Sequence, residues 1–439
     1  MSPLLGPIFA QLVTLSVADR TEARYIASDE KYAEAATSPR VGLNFGWKHT
    51  TLLVGYGPSI TVTPLDSSPH DVLVFHTGVV SVSHVWARTT VTLSQSLGYG
   101  EINFEDQALA GQAPAQNMGT NPNGTATGTT TGNQPPPASM PGAISGTTTP
   151  PAGMGGMTPI AANQIASLNR TVTFITSATT LSLTNRYSEV LTLYGDAGYV
   201  ETGSVGAHAD PLNYPLVKGP RGQVSARYRI SPHDDWNSTV STAFATSSAN
   251  DDHAWFLVAT EGYAHAFDPH TRAGFGAGLS INRNSLADGT ISYSIYPAFN
   301  ANLSNLSKLA RGALRLEISA AAAPYLDPIR VVVDPQLGFG GGIGWAKDDF
   351  TSSLAGGTAL SLTKAGTNPN TNTNTGTNAS GALNSAAGSF TLGYRLSKVW
   401  SLSTGVRAAW QNYGGATTIP LSYGAFFGIT FALFAPLNG

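Results

Sequence analysis

The sequence predicts an all-β chain that closes into a transmembrane antiparallel up-and-down β-barrel of about 18 strands, with 16 as the alternative. Three observations predict it. Charged residues are 11% of 439, where soluble domains carry roughly 25%. Mean hydropathy is nevertheless −0.02, because Gly, Thr, Ser, Ala and Asn replace the charges. Such a chain suits one face in lipid and one in water, whereas an exposed soluble sheet would carry more Lys and Glu. Apolar residues recur with a period of two over long runs, the mark of half-buried strands. The connections between those runs alternate between short and long, as in a barrel with tight turns at one end and loops at the other.

Residues 421–435 show the pattern most clearly. Tyr423, Ala425, Phe427, Ile429, Phe431 and Leu433 share one face, and Ser422, Gly424, Phe426, Gly428, Thr430 and Ala432 the other. The run exceeds the roughly five or six residues of a soluble strand and reaches the 9–11 or so that a tilted strand needs to cross a bilayer.

Taken in order, residues 12–26 place Arg20, Glu22 and Arg24 on one parity and Thr21, Ala23 and Tyr25 on the other. Residues 41–48 oppose Val41, Leu43, Phe45 and Trp47 to Gly42, Asn44, Gly46 and Lys48. Runs at 52–62, 72–86, 89–104, 171–183 and 189–200 continue the series. Around 223–230, Val224, Ala226, Tyr228 and Ile230 oppose Arg227 and Arg229. Runs at 236–246, 254–266, 275–282, 291–303, 314–319, 332–345, 351–362, 388–396 and 400–411 precede the last strand. Closure of the ring requires residues 421–435 to pair with 12–26.

Residues 1–10 read as the end of a secretory signal, and 11–439 as one barrel domain. Two inserts, 105–169 and 364–387, are rich in Pro, Gly, Thr and Asn. Neither buries enough apolar surface to offset chain entropy, so both are expected as disordered loops at the long-loop end. Cysteine is absent, which excludes disulfides, thiolate metal sites and covalently attached haem. No cofactor and no metal site is expected. Near-neutral charge without a basic patch argues against nucleic acid. Ser-Pro-His-Asp occurs at 68–71 and 231–234, but this is turn chemistry rather than a hydrolase triad.

These tandem amphipathic hairpins resemble the outer-membrane β-barrel proteins of Gram-negative bacteria, porins among them. The resemblance covers nearly the whole chain outside the inserts. It implies a bacterial outer-membrane location, with outer-membrane lipid and the assembly machinery as partners; no enzymatic activity is expected, since the Ser-Pro-His-Asp segments are turn chemistry. A homo-oligomer is compatible with it. Such barrels usually end on an aromatic residue, whereas here Phe434 is followed by Ala435, Pro436, Leu437, Asn438 and Gly439.

A barrel of 16–18 strands leaves an aqueous lumen. The polar parity then lines it with Arg20, Glu22, Arg24, Lys48, Arg227, Arg229, Arg315, Glu317, Arg395 and Arg407. This mostly basic set favours anions, unless Arg20–Glu22 and Arg315–Glu317 are compensated pairs that stiffen the wall. Phe45, Trp47, Tyr228, Trp236, Tyr394, Trp400, Phe427 and Phe431 are expected to face lipid or form an interfacial girdle. The function expected is a porin-like channel for passive diffusion of small polar solutes or ions. The alternative is a barrel anchor that displays the long loops for adhesion or envelope-complex assembly.

Overall fold

Among the described residues, strand pairing runs round a complete ring. The computed structural model describes residues 12–27, 31–62, 72–102, 172–206, 215–248, 252–309, 312–327, 331–362, 383–413, 417–418 and 422–436. In chain order the strands are β1 (Leu12–Ala27), β2 (Lys31–Thr37), β3 (Arg40–Gly46), β4 (Thr50–Val62), β5 (Val72–Val85), β6 (Thr89–Ile102), β7 (Val172–Arg186), β8 (Leu191–Ser204), β9 (Val217–Arg229) and β10 (Asp234–Ser247). They continue with β11 (His253–Ala266), β12 (Thr271–Ser285), β13 (Ile291–Leu309), β14 (Gly312–Asp327), β15 (Val332–Lys347), β16 (Phe350–Ser361), β17 (Leu383–Arg395), β18 (Trp400–Tyr413), β19 (Thr417–Thr418) and β20 (Ser422–Pro436).

From β3 to β18 each strand pairs antiparallel with the next, β18 pairs β20, and β1 closes the ring on β20 from Thr14↔Pro436 to Ala27↔Tyr423. The expected closing pair is therefore present. β2 and β3 both pair β1 on one side and β4 on the other. They share one place in the wall, and β19 is a two-residue clip on β18. The chain is thus a closed 18-strand antiparallel barrel.

The break between β2 and β3 has a local cause. Pro39 has no N–H for the ladder, and the Ser38 amide donates to the Arg20 carbonyl instead, at 2.9 Å. Gly57 on β4 packs against this break. A Cβ there would lie 2.9 Å from the Pro39 carbonyl and 2.8 Å from Arg40 Cγ, so only glycine fits. The alternation in sequence missed β2, whose KYAEAAT carries no large apolar side chain on either face beyond Tyr32. It also placed the end of the second insert too late: residues 383–387 belong to β17, with Ala387 opposite Ala409. The remainder of that insert, residues 364–382, the other insert and residues 1–10 lie outside the described residues.

Parity separates two surfaces. On β20, Phe427 is 50% exposed and Phe426 only 5%. The exposed set includes Val224, Tyr228, Phe275, Leu279, Ile295, Ile318, Phe390 and Val406, all on the outer face. Each such side chain left in water would forfeit about 1.5–3 kcal/mol, so this exterior is built for an apolar solvent. The buried apolar cluster lies on the inside. Ala243, Ala245, Ala254, Phe256, Val258 and Ala298 pack there with Leu326, Val331 and Val333.

Candidate functional site: a charged lumenal wall

The inward parity gathers ionisable residues into two groups on opposite sides of the ring. One lies at the closing seam. Arg20, Glu22 and Arg24 of β1 face inward beside Glu34 of β2, Arg40 of β3 and Arg407 of β18. Arg24 donates through Nε to Glu22 Oε2 at 2.9 Å and through Nη1 to Glu34 Oε1 at 2.8 Å. Arg20 pairs with the other oxygen of Glu22. The Arg407 guanidinium stacks over the Phe426 ring, 4.3 Å from its centroid. Arg20, Arg24 and Arg407 thus gather round Glu22 and Glu34, and both carboxylates are covered.

The second group lies on β9, β10 and β12, half-way round. Asp235 Oδ2 accepts from Arg227 Nη2 at 2.6 Å and from Arg272 Nη2 at 2.5 Å. Arg229 stands opposite Asp235 in the register. Two arginines therefore share one carboxylate, close to the tight turn after β9. The excess on both walls is basic.

The remaining expected lining residues are more exposed. Arg315 pairs with Glu317 on β14. Arg395 Nε reaches Asp349 Oδ1 at 2.8 Å near the turn ends of β16 and β17. Lys48 stands apart from the others. β3 ends at Gly46, so the strand parity stops before Lys48, which is exposed in the tight turn. The sequence reading did not name Glu34, Arg40, Arg221, Asp235 or Arg272. Glu34 sits on β2, where the alternation is faint, and Asp235 and Arg272 stand at the turn ends of β10 and β12. The usable signal was parity counted back from Trp236, which puts Asp235 on the face of Arg227.

The expected girdle residues stand near the tight turns, except Phe427, which lies farther along β20 opposite Thr404. Trp236 lies between Tyr228 and Tyr263 in the register. Trp400 packs on Phe431 with centroids 4.9 Å apart, and Phe45 stacks on Trp47 at 6.3 Å. The 231–234 segment forms a turn in which the His233 amide donates to Ser231 Oγ at 3.1 Å. The 68–71 copy lies outside the described residues. Among the described residues no group of three His, Asp or Glu could hold a metal ion.

The lumen is asymmetric. At the long-loop end, the β14–β15 tip bends inward across β11 and β12. The Val333 amide donates to Asn284 Oδ1 at 2.7 Å, and Asn284 Nδ2 donates to the Val333 carbonyl at 3.3 Å. Val331 is fully buried at a φ of 50°, a strained value for a β-branched residue. The wall from β13 to β17 is different. Its inward positions include Asn302, Ser304, Gly340, Gly342, Ser353 and Gly357. Among the described residues these small groups leave the lumen widest on that side.

No family model matches the chain, and no curated protein does. Solved structures are similar to it at low identity. OccAB2 of Acinetobacter baumannii has a TM-score of 0.47 at 10% identity, covering 98% of this chain and 100% of that one. The outer membrane protein OpdK of Pseudomonas aeruginosa has a TM-score of 0.46 at 9% identity, covering 97% and 100%. The FrpB iron transporter of Neisseria meningitidis has a TM-score of 0.49 at 7% identity, covering 95% and 81%. At these values the likeness carries no argument about function.

Proposed function

We propose that the chain is a bacterial outer-membrane channel that passes small polar solutes or ions by passive diffusion. One observation carries this reading: a closed 18-strand ring, apolar outside, holds two arginine-rich groups on facing inner walls. Rings of this size enclose water, and fixed charge along a pore biases selectivity. Arg20, Arg24, Arg227, Arg229, Arg315, Arg395 and Arg407, with Glu22 and Glu317, line the path, and the preference is for anions. The tight turns face the periplasm and the long loops the exterior. The outer-membrane assembly machinery inserts the barrel. No enzymatic step is assigned to it, and a homo-oligomer remains compatible with the closed ring.

Purified protein in planar bilayers tests this. Stepwise ion conductance is expected, with a reversal potential in a salt gradient that marks anions as the faster species. Complete absence of flux from correctly folded barrels would sink the channel reading and favour a barrel that anchors surface loops.

A further inference from the structure

An acidic side chain on the lipid side of a barrel is out of place, because nothing in hydrocarbon compensates it. Glu261 holds such a position. In the β10–β11 register it stands opposite Ser238, between the outward pairs Trp236↔Tyr263 and Val240↔Ala259. Its surroundings on that face are apolar, with Val240, Phe275 and Leu279 exposed. Two donors hold it. Trp236 Nε1 donates to Glu261 Oε2 at 2.8 Å, and Ser238 Oγ donates to the same oxygen at 2.5 Å. Both donors address Oε2.

The two aromatic neighbours point opposite ways. The Tyr263 hydroxyl donates towards the tight turn, to Asp234 Oδ1. The Trp236 indole turns its N–H the other way, towards the bilayer, where a girdle Trp would ordinarily turn it to water. The carboxylate that it meets is held between Ser238 and the aromatic row, within reach of the lipid headgroups. Glu261 has no ion-pair partner among the described residues. Lys218 and Arg283, outward cations of the same wall, stand near the long-loop ends of β9 and β12. A cation that matches Glu261 must therefore come from outside this wall, at headgroup depth.

We propose that Glu261, seated between Trp236 and Ser238, binds the primary ammonium head of an aminophospholipid in the leaflet on the tight-turn side. The N–H groups of a primary ammonium can hydrogen-bond to a carboxylate, which adds to the charge attraction. A quaternary choline head has the charge but no N–H. The inference rests on the barrel being embedded in a membrane.

The test uses the full chain, delipidated in detergent, offered phosphatidylethanolamine, phosphatidylcholine and phosphatidylglycerol with the same acyl chains. Native mass spectrometry counts the lipids retained. Wild type is expected to retain phosphatidylethanolamine about fivefold over phosphatidylcholine. Glu261→Gln loses that preference while keeping the heat-modifiable gel mobility of a folded barrel. Glu201→Gln, an outer-face acid near the other end of β8, keeps it. Equal retention of the lipids by wild type overturns the proposal without recourse to any variant. So does a preference that survives Glu261→Gln, or one lost equally in Glu201→Gln. Dimers or a co-purifying protein that vanish in Glu261→Gln, with no lipid preference in wild type, assign the carboxylate to a protein partner instead and equally overturn it. A chain that stays soluble without detergent refutes the membrane reading itself, a separate failure.

Discussion

The two arginine groups of the lumen differ in what else they do. The seam group joins β1, β2, β3 and β18 around the strand pairing that closes the ring. Its carboxylates are covered, with Glu34 at 0% and Glu22 at 3% side-chain exposure. The opposite group sits on three strands of a continuous meander, and Asp235 alone serves two arginines there. The first group therefore couples lumenal charge to closure. The second carries charge on a wall that is closed without it. Similar residue types thus have different consequences, depending on whether a chain-wide contact runs through them.

Breaking the seam tests this most strongly. Glu34→Ala strips Arg24 of one covered partner, and removing one member of a buried pair costs about 3–5 kcal/mol. The heat-modifiable mobility of the folded barrel should be lost, or its unfolding midpoint should fall steeply. A variant with wild-type stability would show that the seam network is not needed for closure.

Asp235→Asn acts on the other wall. It leaves Arg227 and Arg272 with a neutral hydrogen-bonding neighbour, so the expected loss is smaller, about 1–3 kcal/mol. The lumen gains positive charge, and the anion-to-cation permeability ratio in planar bilayers should rise. An unchanged ratio with an unchanged unfolding midpoint would remove this group from the ion path.

The smallest effect belongs to the turn beneath the second group. Asp268 Oδ1 accepts from the His270 amide at 2.6 Å and from the Thr271 amide at 2.8 Å. The His270 amide, foremost, and Thr271 hold its carboxyl below the usual aspartate range. The depressed value means that the folded turn binds the proton less readily than the unfolded chain does. Its contribution is present above the unfolded value and is lost as the pH falls through the lowered folded value. Acid titration of stability should show a small extra loss in that window, absent from Asp268→Asn. Identical acid profiles for the two proteins would remove the turn from the account.

Much of the wall was legible because an amphipathic strand writes its two faces into alternate residues. Tyr228 and Arg227, or Phe427 and Phe426, differ by one position and by which solvent they meet. The charged sites were only half legible. Arg20, Glu22 and Arg24 advertise themselves by parity, and the Arg20–Glu22 and Arg315–Glu317 pairs weighed from sequence are present as ion pairs. Their distant partners do not advertise themselves, because Glu34 lies on a short strand of small residues and Asp235 beside a turn, where the period of two is faint. The inward bend of Val331 and Val333 leaves no trace in local pattern either, since valine suits a strand equally well whether it faces lipid or a lumenal cluster.

By itself the sequence determined that this chain is a series of membrane-length amphipathic strands, which side of each is apolar, and that first and last must meet. Those are local consequences of side-chain alternation and of the cost of an unpaired strand edge in lipid. Only the tertiary structure decided which charges become partners, where the described residues fill the lumen, and that the outer-face Glu261 carboxylate meets Trp236 and Ser238. These depend on register between strands and on the curvature of the ring, and both arise only when the whole sheet closes.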